Sequence, residues 1–180
     1  MRRAVFLDRD GTITEEGDWQ AKVDPPRPIP GAAEALRRLQ DAGLLLFVVT
    51  NQSGVARGHY TEADVQAYND QMTAMFAEAG VHFQEIAYCP HLPDAGCTCR
   101  KPDTQFLAEA AKRYGIDLTR SFVVGDQTTD IAMGVRNGCY TLLVQTGFAG
   151  QDGKADVQPD LVVADIAEAA EKILERPTNE

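Results

Sequence analysis

Asp8-Arg9-Asp10-Gly11-Thr12 sets two carboxylates either side of one residue, directly after the apolar run Ala4 to Leu7 and just before a glycine. If that run is a strand, Asp8 and Asp10 leave its carboxyl end on the same side, where open α/β sheets gather their ligands. Two carboxylates so placed suit metal-assisted attack on phosphorus. One can act as nucleophile while the other handles the proton, and a divalent cation can hold both against an anionic substrate. An ordinary Asp-Gly turn after a buried strand explains a single motif of this kind equally well.

Three further segments bear on that choice. Thr50-Asn51-Gln52-Ser53-Gly54 offers hydroxyl, amide and backbone donors that bind phosphate oxygens without adding negative charge. Arg100-Lys101-Pro102 supplies two cations ahead of a helix, and Gly125-Asp126, followed by Asp130, supplies two more carboxylates. Asp130 can instead cap the helix or orient its neighbours. Separately, Cys89, His91, Cys97 and Cys99 crowd into one short stretch, while Cys139 stands apart as a small buried apolar residue. The two flanking pairs can close a tetrahedral Zn2+ site. Four protein ligands leave no open position, so such a metal is structural and ties down the loop that delivers Arg100 and Lys101.

The elements that must position these groups follow from periodicity. Ala4 to Leu7, Leu44 to Val49, Ile86 to Tyr88, Phe122 to Val124, Thr141 to Val144 and Leu161 to Val163 read as strands. Helical spacing fills the gaps: Ala32, Ala35, Leu36 and Leu39; Val65, Tyr68, Met72 and Met75 behind Thr61; Phe106, Leu107, Ala110 and Ala111; Ile131, Ala132 and Val135; and Ile166 to Leu174. The alternation predicts an α/β fold, doubly wound, with a mostly parallel sheet and helices on both faces. Parallel strands share one carboxyl edge, so Asp8, Asp10, Thr50 and Asp126 converge there. Glu15 to Pro30, with four prolines, and Pro90 to Pro102 fall outside the alternation as long loops.

Length and charge set the bounds. With 180 residues and no linker or repeat, residues 1–180 are expected to form a single domain, and a monomer is expected. Lys and Arg number 17 against 27 Asp and Glu, a net charge of −10, which disfavours nucleic acid as a partner. The longest apolar run is too short to span a bilayer and the N-terminus carries no cleavage signal, so no membrane contact and a cytoplasmic location are expected.

Taken together, these motifs resemble the haloacid dehalogenase-like phosphatase superfamily over nearly the whole chain. The resemblance implies a Rossmann-like core without a large cap domain and an aspartyl-phosphate mechanism with Mg2+. It casts Asp8 as nucleophile and Asp10 as the acid that protonates the leaving alcohol and later deprotonates water. Thr50 and Lys101 would hold the transferring oxygens, and Asp8, the Asp10 carbonyl and Asp126 would bind Mg2+. The cysteine cluster narrows the resemblance to the zinc-loop branch, whose members act on small phosphorylated metabolites. The expected substrate is heptose 1,7-bisphosphate, at its 7-phosphate, with histidinol phosphate the alternative. The branch implies a substrate pocket drawn from Glu16, Gly17, Asp18 and Trp19, from Asn51, Gln52, Ser53 and Arg57, and from Arg100, which would read the distal phosphate or hydroxyls. The residue after the last motif aspartate, frequently Lys in that pattern, is Gln127 here.

Overall fold

The computed structural model describes residues 1–17 and 25–176. Its strands are β1 (Ala4–Leu7), β2 (Leu45–Asn51), β3 (Phe83–Cys89), β4 (Phe122–Gly125), β5 (Tyr140–Val144) and β6 (Leu161–Val163). They form one sheet in the order β3-β2-β1-β4-β5-β6, and every pairing is parallel. The order reverses between β1 and β4. That leaves a crevice at their carboxyl ends, where neighbouring connections leave for opposite faces.

Five helices cover the sheet: α1 (Ala32–Asp41), α2 (Glu62–Glu78), α3 (Phe106–Tyr114), α4 (Thr128–Arg136) and α5 (Ile166–Glu175). The side-chain alternation of the strands splits the core in two. Val5 and Leu7 of β1 pack with Leu36 and Leu39 of α1, Met72 and Phe76 of α2, and Ile166 and Ile173 of α5. Ala4 and Phe6 face the other way, toward Leu107 and Ala110 of α3 and Met133 of α4. Because both faces of β1 are buried, the strand is apolar throughout, as parallel central strands must be.

The helices begin and end for local reasons. The Thr61 side chain accepts from the Asp64 N–H and the Asp64 carboxylate accepts from the Thr61 N–H, a closed capping box at the start of α2. Asp165 caps α5 through the Ala167 and Glu168 N–H groups, and Gly115 ends α3 at φ 66.

Several sequence expectations are corrected. The strand expected at Ile86 to Tyr88 runs from Phe83 to Cys89, and β2 extends to Asn51, so Thr50 is its penultimate residue. Val135, expected on the apolar face of its helix, is 51% exposed, since α4 turns it away from β4 and β5. Phe76, not Met75, completes the buried face of α2. The long loop after β1 closes on itself. Thr14 bridges Pro28 in antiparallel fashion, the Glu15 N–H donates to the Arg27 carbonyl at 2.8 Å, and the Ile29 N–H donates to Ile13 at 3.0 Å. Asp18 and Trp19 lie outside the described residues.

Candidate active site

Asp8 continues the β1–β4 pairing by one residue, its N–H donating to the Val124 carbonyl at 2.9 Å. Its carboxylate therefore starts from a rigid point in the crevice. Lys101 reaches it from the loop after β3. The ammonium lies 2.6 Å from Asp8 Oδ1, 2.7 Å from Asp130 Oδ1 and 2.7 Å from the Val49 carbonyl. The contacts to Asp8 and Val49 are hydrogen bonds, and the contact to Asp130 is an ion pair. Burial alone would lower the Lys101 pKa, but Asp130 and then Asp8 outweigh it and raise it, so the lysine stays charged. Asn51 holds the same lysine by its backbone. Asn51 Oδ1 accepts from the Lys101 N–H at 3.0 Å, and Asn51 Nδ2 donates to the Lys101 carbonyl at 3.2 Å.

Asp10 is held differently. Arg9 is 1% exposed and forks onto it, Nε to Oδ1 at 3.2 Å and Nη2 to Oδ2 at 3.0 Å. Arg9 Nη1 donates to Asn69 Oδ1 at 2.8 Å, and its guanidinium sits 4.2 Å from the Tyr68 ring centroid. Gln52 adds a third donor, its Nε2 lying 2.8 Å from Asp10 Oδ2 and 2.9 Å from Thr50 Oγ1, while its Oε1 accepts from the Tyr60 hydroxyl at 2.7 Å. The polar atoms of Gln52 are thus committed, and the side chain is 1% exposed. Its side chain orients Asp10 and Thr50. Thr50 Oγ1 accepts from Gln52, which leaves its own hydrogen to be donated into the pocket.

The third side is Asp126. Its Oδ2 accepts from the Phe148 N–H at 2.7 Å, and its Oδ1 is buried with no partner. Gly11 (φ +83) and Gly147 (φ +61) press against this carboxylate so closely that a Cβ on either would come within 2.5 or 2.2 Å of Asp126 Oδ2. Asp8, Asp126 and Asp130 each offer an oxygen within 4.8 Å of the others. Three crowded carboxylates face one ammonium, and the strain is visible in Asp126. Burial first, then the charges of Asp8 and Asp130, push its pKa up to about 9. Burial likewise raises Asp130 above the usual carboxylate range, although Lys101 opposes this. An unpartnered oxygen and excess negative charge among hard oxygen donors are what Mg2+ binding needs. This donor set fits that ion.

Asp8, Asp10, Glu16, Thr50, Asn51, Lys101 and Gln127 line one small pocket. Gly17 joins Asp10, Glu16 and Tyr68 around a neighbouring recess. Ser53 and Arg57 do not line either, and Arg57 is exposed on the turn beyond. Arg100 opens onto an adjoining cavity instead, with Nη1 donating to the His91 carbonyl at 3.0 Å. Sequence reasoning undervalued Arg9, Asn69 and Asp130. The signals were present: a cation enclosed between two aspartates, a polar residue on the apolar face of α2, and a capping-box spacing that Asp130 fulfils by accepting from the Gln127 N–H at 3.0 Å.

Cys89, His91, Cys97 and Cys99 do converge. Cys89 Sγ lies 3.1 Å from Cys99 Sγ and 3.6 Å from Cys97 Sγ, and His91 Nδ1 lies 3.2 Å from Cys99 Sγ. All four cysteines of the chain are free thiols. A tetrahedron with metal–sulfur bonds of about 2.3 Å has edges slightly under 4 Å, so the spacing and donor softness fit Zn2+. Burial raises the Cys97 thiol, but hydrogen bonds from the Cys99 backbone, Cys89, Cys99 and His91 outweigh it and bring it below its ordinary value. Cys139 is buried apart from the cluster among apolar neighbours.

Models of two families match the chain: a haloacid dehalogenase-like hydrolase family over residues 5–85 and a related HAD-hydrolase-like family over residues 98–169. Among curated proteins, a D-glycero-D-manno-heptose-1,7-bisphosphate 7-phosphatase of Thermosynechococcus vestitus is 39% identical, over 96% of this chain and 95% of its own length. The D-glycero-beta-D-manno-heptose-1,7-bisphosphate 7-phosphatase of Pseudomonas aeruginosa is also 39% identical, over 97% and 99%. A crystal structure of the D,D-heptose 1,7-bisphosphate phosphatase of B. bronchiseptica, complexed with magnesium and phosphate, superposes with a TM-score of 0.86. It is 35% identical and covers 96% of this chain and 98% of that one.

Proposed function

The chain belongs to the haloacid dehalogenase-like hydrolases, and from that premise we propose that it is a Mg2+-dependent phosphatase that removes the 7-phosphate of D-glycero-D-manno-heptose 1,7-bisphosphate. The observation that carries the chemistry is the buried Asp8 carboxylate, held on a strand end between Lys101 and the Asp126–Asp130 pair. The substrate assignment rests on full-length relatives bearing that activity in their names.

Asp8 attacks phosphorus in line with the leaving oxygen, so the phosphorus–oxygen bond to the sugar breaks as a bond to the Asp8 carboxylate forms. Lys101 lies ready on the attacking side, and Thr50 donates its free hydrogen to a phosphoryl oxygen. The Arg9 fork and the Gln52 amide fix the Asp10 carboxylate in place beside the pocket. In this reading Asp10 acts as the general acid and gives a proton to the leaving oxygen as its bond to phosphorus breaks. Once the alcohol has left, the Asp10 carboxylate takes a proton from water. That water attacks the phosphoryl group, breaks its bond to Asp8 and releases phosphate. Asp8, the Asp10 carbonyl and Asp126 would hold Mg2+, which supplies Lewis-acid neutralisation of phosphoryl charge.

Cys89, His91, Cys97 and Cys99 hold a structural Zn2+ in this reading, fixing the loop that ends in Arg100 and Lys101. The partner is a small phosphorylated sugar and the protein acts as a monomer; its net charge of −10 opposes long polyanions. Among the described residues no helix is long and apolar enough to cross a membrane. Phosphate release from heptose bisphosphate, histidinol phosphate and a 3'-phosphorylated oligonucleotide tests the assignment. The heptose bisphosphate should be turned over fastest, and equal or absent rates on all three would remove the support for it.

A further inference from the structure

A cavity of about 350 Å³ opens beside the small pocket of Asp8, which measures only about 40 Å³. Lys101 lines both, so the two spaces are neighbours. The reacting phosphoryl group belongs in the inner pocket, and among the described residues the outer cavity is the roomier of the spaces that adjoin it. Arg100, Thr129 and Lys154 lie in its wall.

The charges around this outer space are unlike those of the chain as a whole. Asp103 lies in the same wall but is engaged by Arg136. Asp152, on the same loop as Lys154, is occupied by the Thr128 N–H at 2.7 Å and the Thr128 hydroxyl at 2.9 Å. Arg100 donates to a neutral carbonyl. Lys154 Nζ donates to Gln127 Oε1 at 2.5 Å, an acceptor that is also neutral, and lies 5.4 Å from the Phe148 ring centroid. A cation resting on a neutral amide has no counter-charge to offset its field, whereas one paired with a carboxylate does. Gln127 itself lines the inner pocket, and the Phe148 N–H anchors Asp126. Lys154 is therefore tethered on both sides to residues of the catalytic bed while its charge remains available to the outer cavity.

We propose that Lys154, on the segment between β5 and β6, is a specificity-determining residue: with Arg100 it binds the second phosphate of a bisphosphorylated substrate whose first phosphate lies at Asp8. This rests on the phosphatase reading above and extends it to a residue some 28 positions beyond the last catalytic motif. Lys154 exchanges the Gln127 carbonyl for phosphate oxygens when the substrate enters, and its flexible four-carbon stem permits the swing. A monophosphate lacks that second group, so it gains nothing from the exchange.

The test compares heptose 1,7-bisphosphate with heptose 7-phosphate in the wild type, Lys154→Met and Lys154→Arg. In Lys154→Met the kcat/KM ratio of bisphosphate to monophosphate should fall about tenfold, through KM rather than kcat, as expected for one charge-assisted contact. Lys154→Arg should restore most of the ratio, since a merely structural contact with Gln127 would not require a cation. A ratio unmoved by Lys154→Met in an enzyme that prefers the bisphosphate overturns this inference alone. A wild type with no preference for the bisphosphate overturns the substrate assignment and this inference together.

Discussion

The carboxylate bed and the cysteine loop are both compact sets of ligating side chains, yet they are assembled in opposite ways. Cys89, His91, Cys97 and Cys99 come from a single stretch of chain that starts at the last residue of β3, and a short loop suffices to bring them within 4.8 Å. Asp8, Lys101, Asp126 and Asp130 come from three separate segments, and the Lys101–Asp8 contact spans 93 positions. The thiols of the loop cluster offer one another only weak hydrogen bonds, so the Zn2+ proposed above would be what binds the loop together. The carboxylate bed is held by the sheet even though its charges repel, because β1 and β4 place Asp8 and Asp126 side by side whatever those carboxylates would prefer. One region thus gathers its groups against their own repulsion, and the other gathers them by local chain geometry.

Replacing Asp8 by Asn strikes the bed directly. Turnover should fall by on the order of 10⁴ or more, as when a nucleophile is removed. The fold should persist, because one of three crowded negative charges has gone. Phosphate release together with thermal unfolding checks both halves, and activity within tenfold of wild type would remove Asp8 from its role.

Lys101→Met takes from the same bed the one ammonium that reaches it among the described residues. Loss of one charged contact to the transferring group should lower kcat by about 10²- to 10³-fold. Here stability should suffer as well, by about 3–5 kcal/mol, because Asp8 and Asp130 are left buried and uncompensated. Denaturant titration beside Asp8→Asn decides this. If Lys101→Met proved the more stable of the two, the bed would not depend on its cation.

Cys99→Ser tests the other region. It should release the zinc and reduce activity by about tenfold, through looser placement of Arg100 and Lys101, while leaving the sheet intact. Metal content, kinetics and amide exchange of residues 90–100 measure the three effects. Loss of zinc with full activity would show that the loop's metal has no hold on the site.

The smallest effect concerns pH. The Asp126 pKa is raised from 3.8 to about 9, so its contribution to the stability of the metal-free protein is fully present below about 4 and is lost as pH rises toward 9. Mg2+ competes with that proton. The rise in melting temperature on adding Mg2+ should therefore be larger at pH 8 than at pH 5, by a few degrees on the order expected for about 1 kcal/mol. An equal rise at both values would mean that Asp126 is not a ligand.

What was legible in the chain was largely local. Strand and helix identities followed from apolar spacing, the zinc-type cluster from its own four residues, and the carboxylate motif from its position after an apolar run. Errors fell where burial depends on distant packing, as at Val135, which helical spacing alone placed in the core. The side-chain partners of Gln52 were illegible for a related reason. An amide in a polar turn looks free to meet a ligand, and only the arrival of Asp10 and Tyr60 from other segments consumes its donors and acceptor.

The amino-acid order by itself determined which chemical groups stand at each strand end, because a parallel sheet sends every strand's carboxyl terminus to one edge. The tertiary structure alone decided how those groups are paired: Arg9 to Asn69, Lys101 to both Asp8 and Asp130, and Lys154 to Gln127. Pairing of this kind depends on distances of a few ångströms between segments far apart in the chain. In a low-dielectric crevice, such distances determine which carboxylates stay charged and which oxygen is left for a cation.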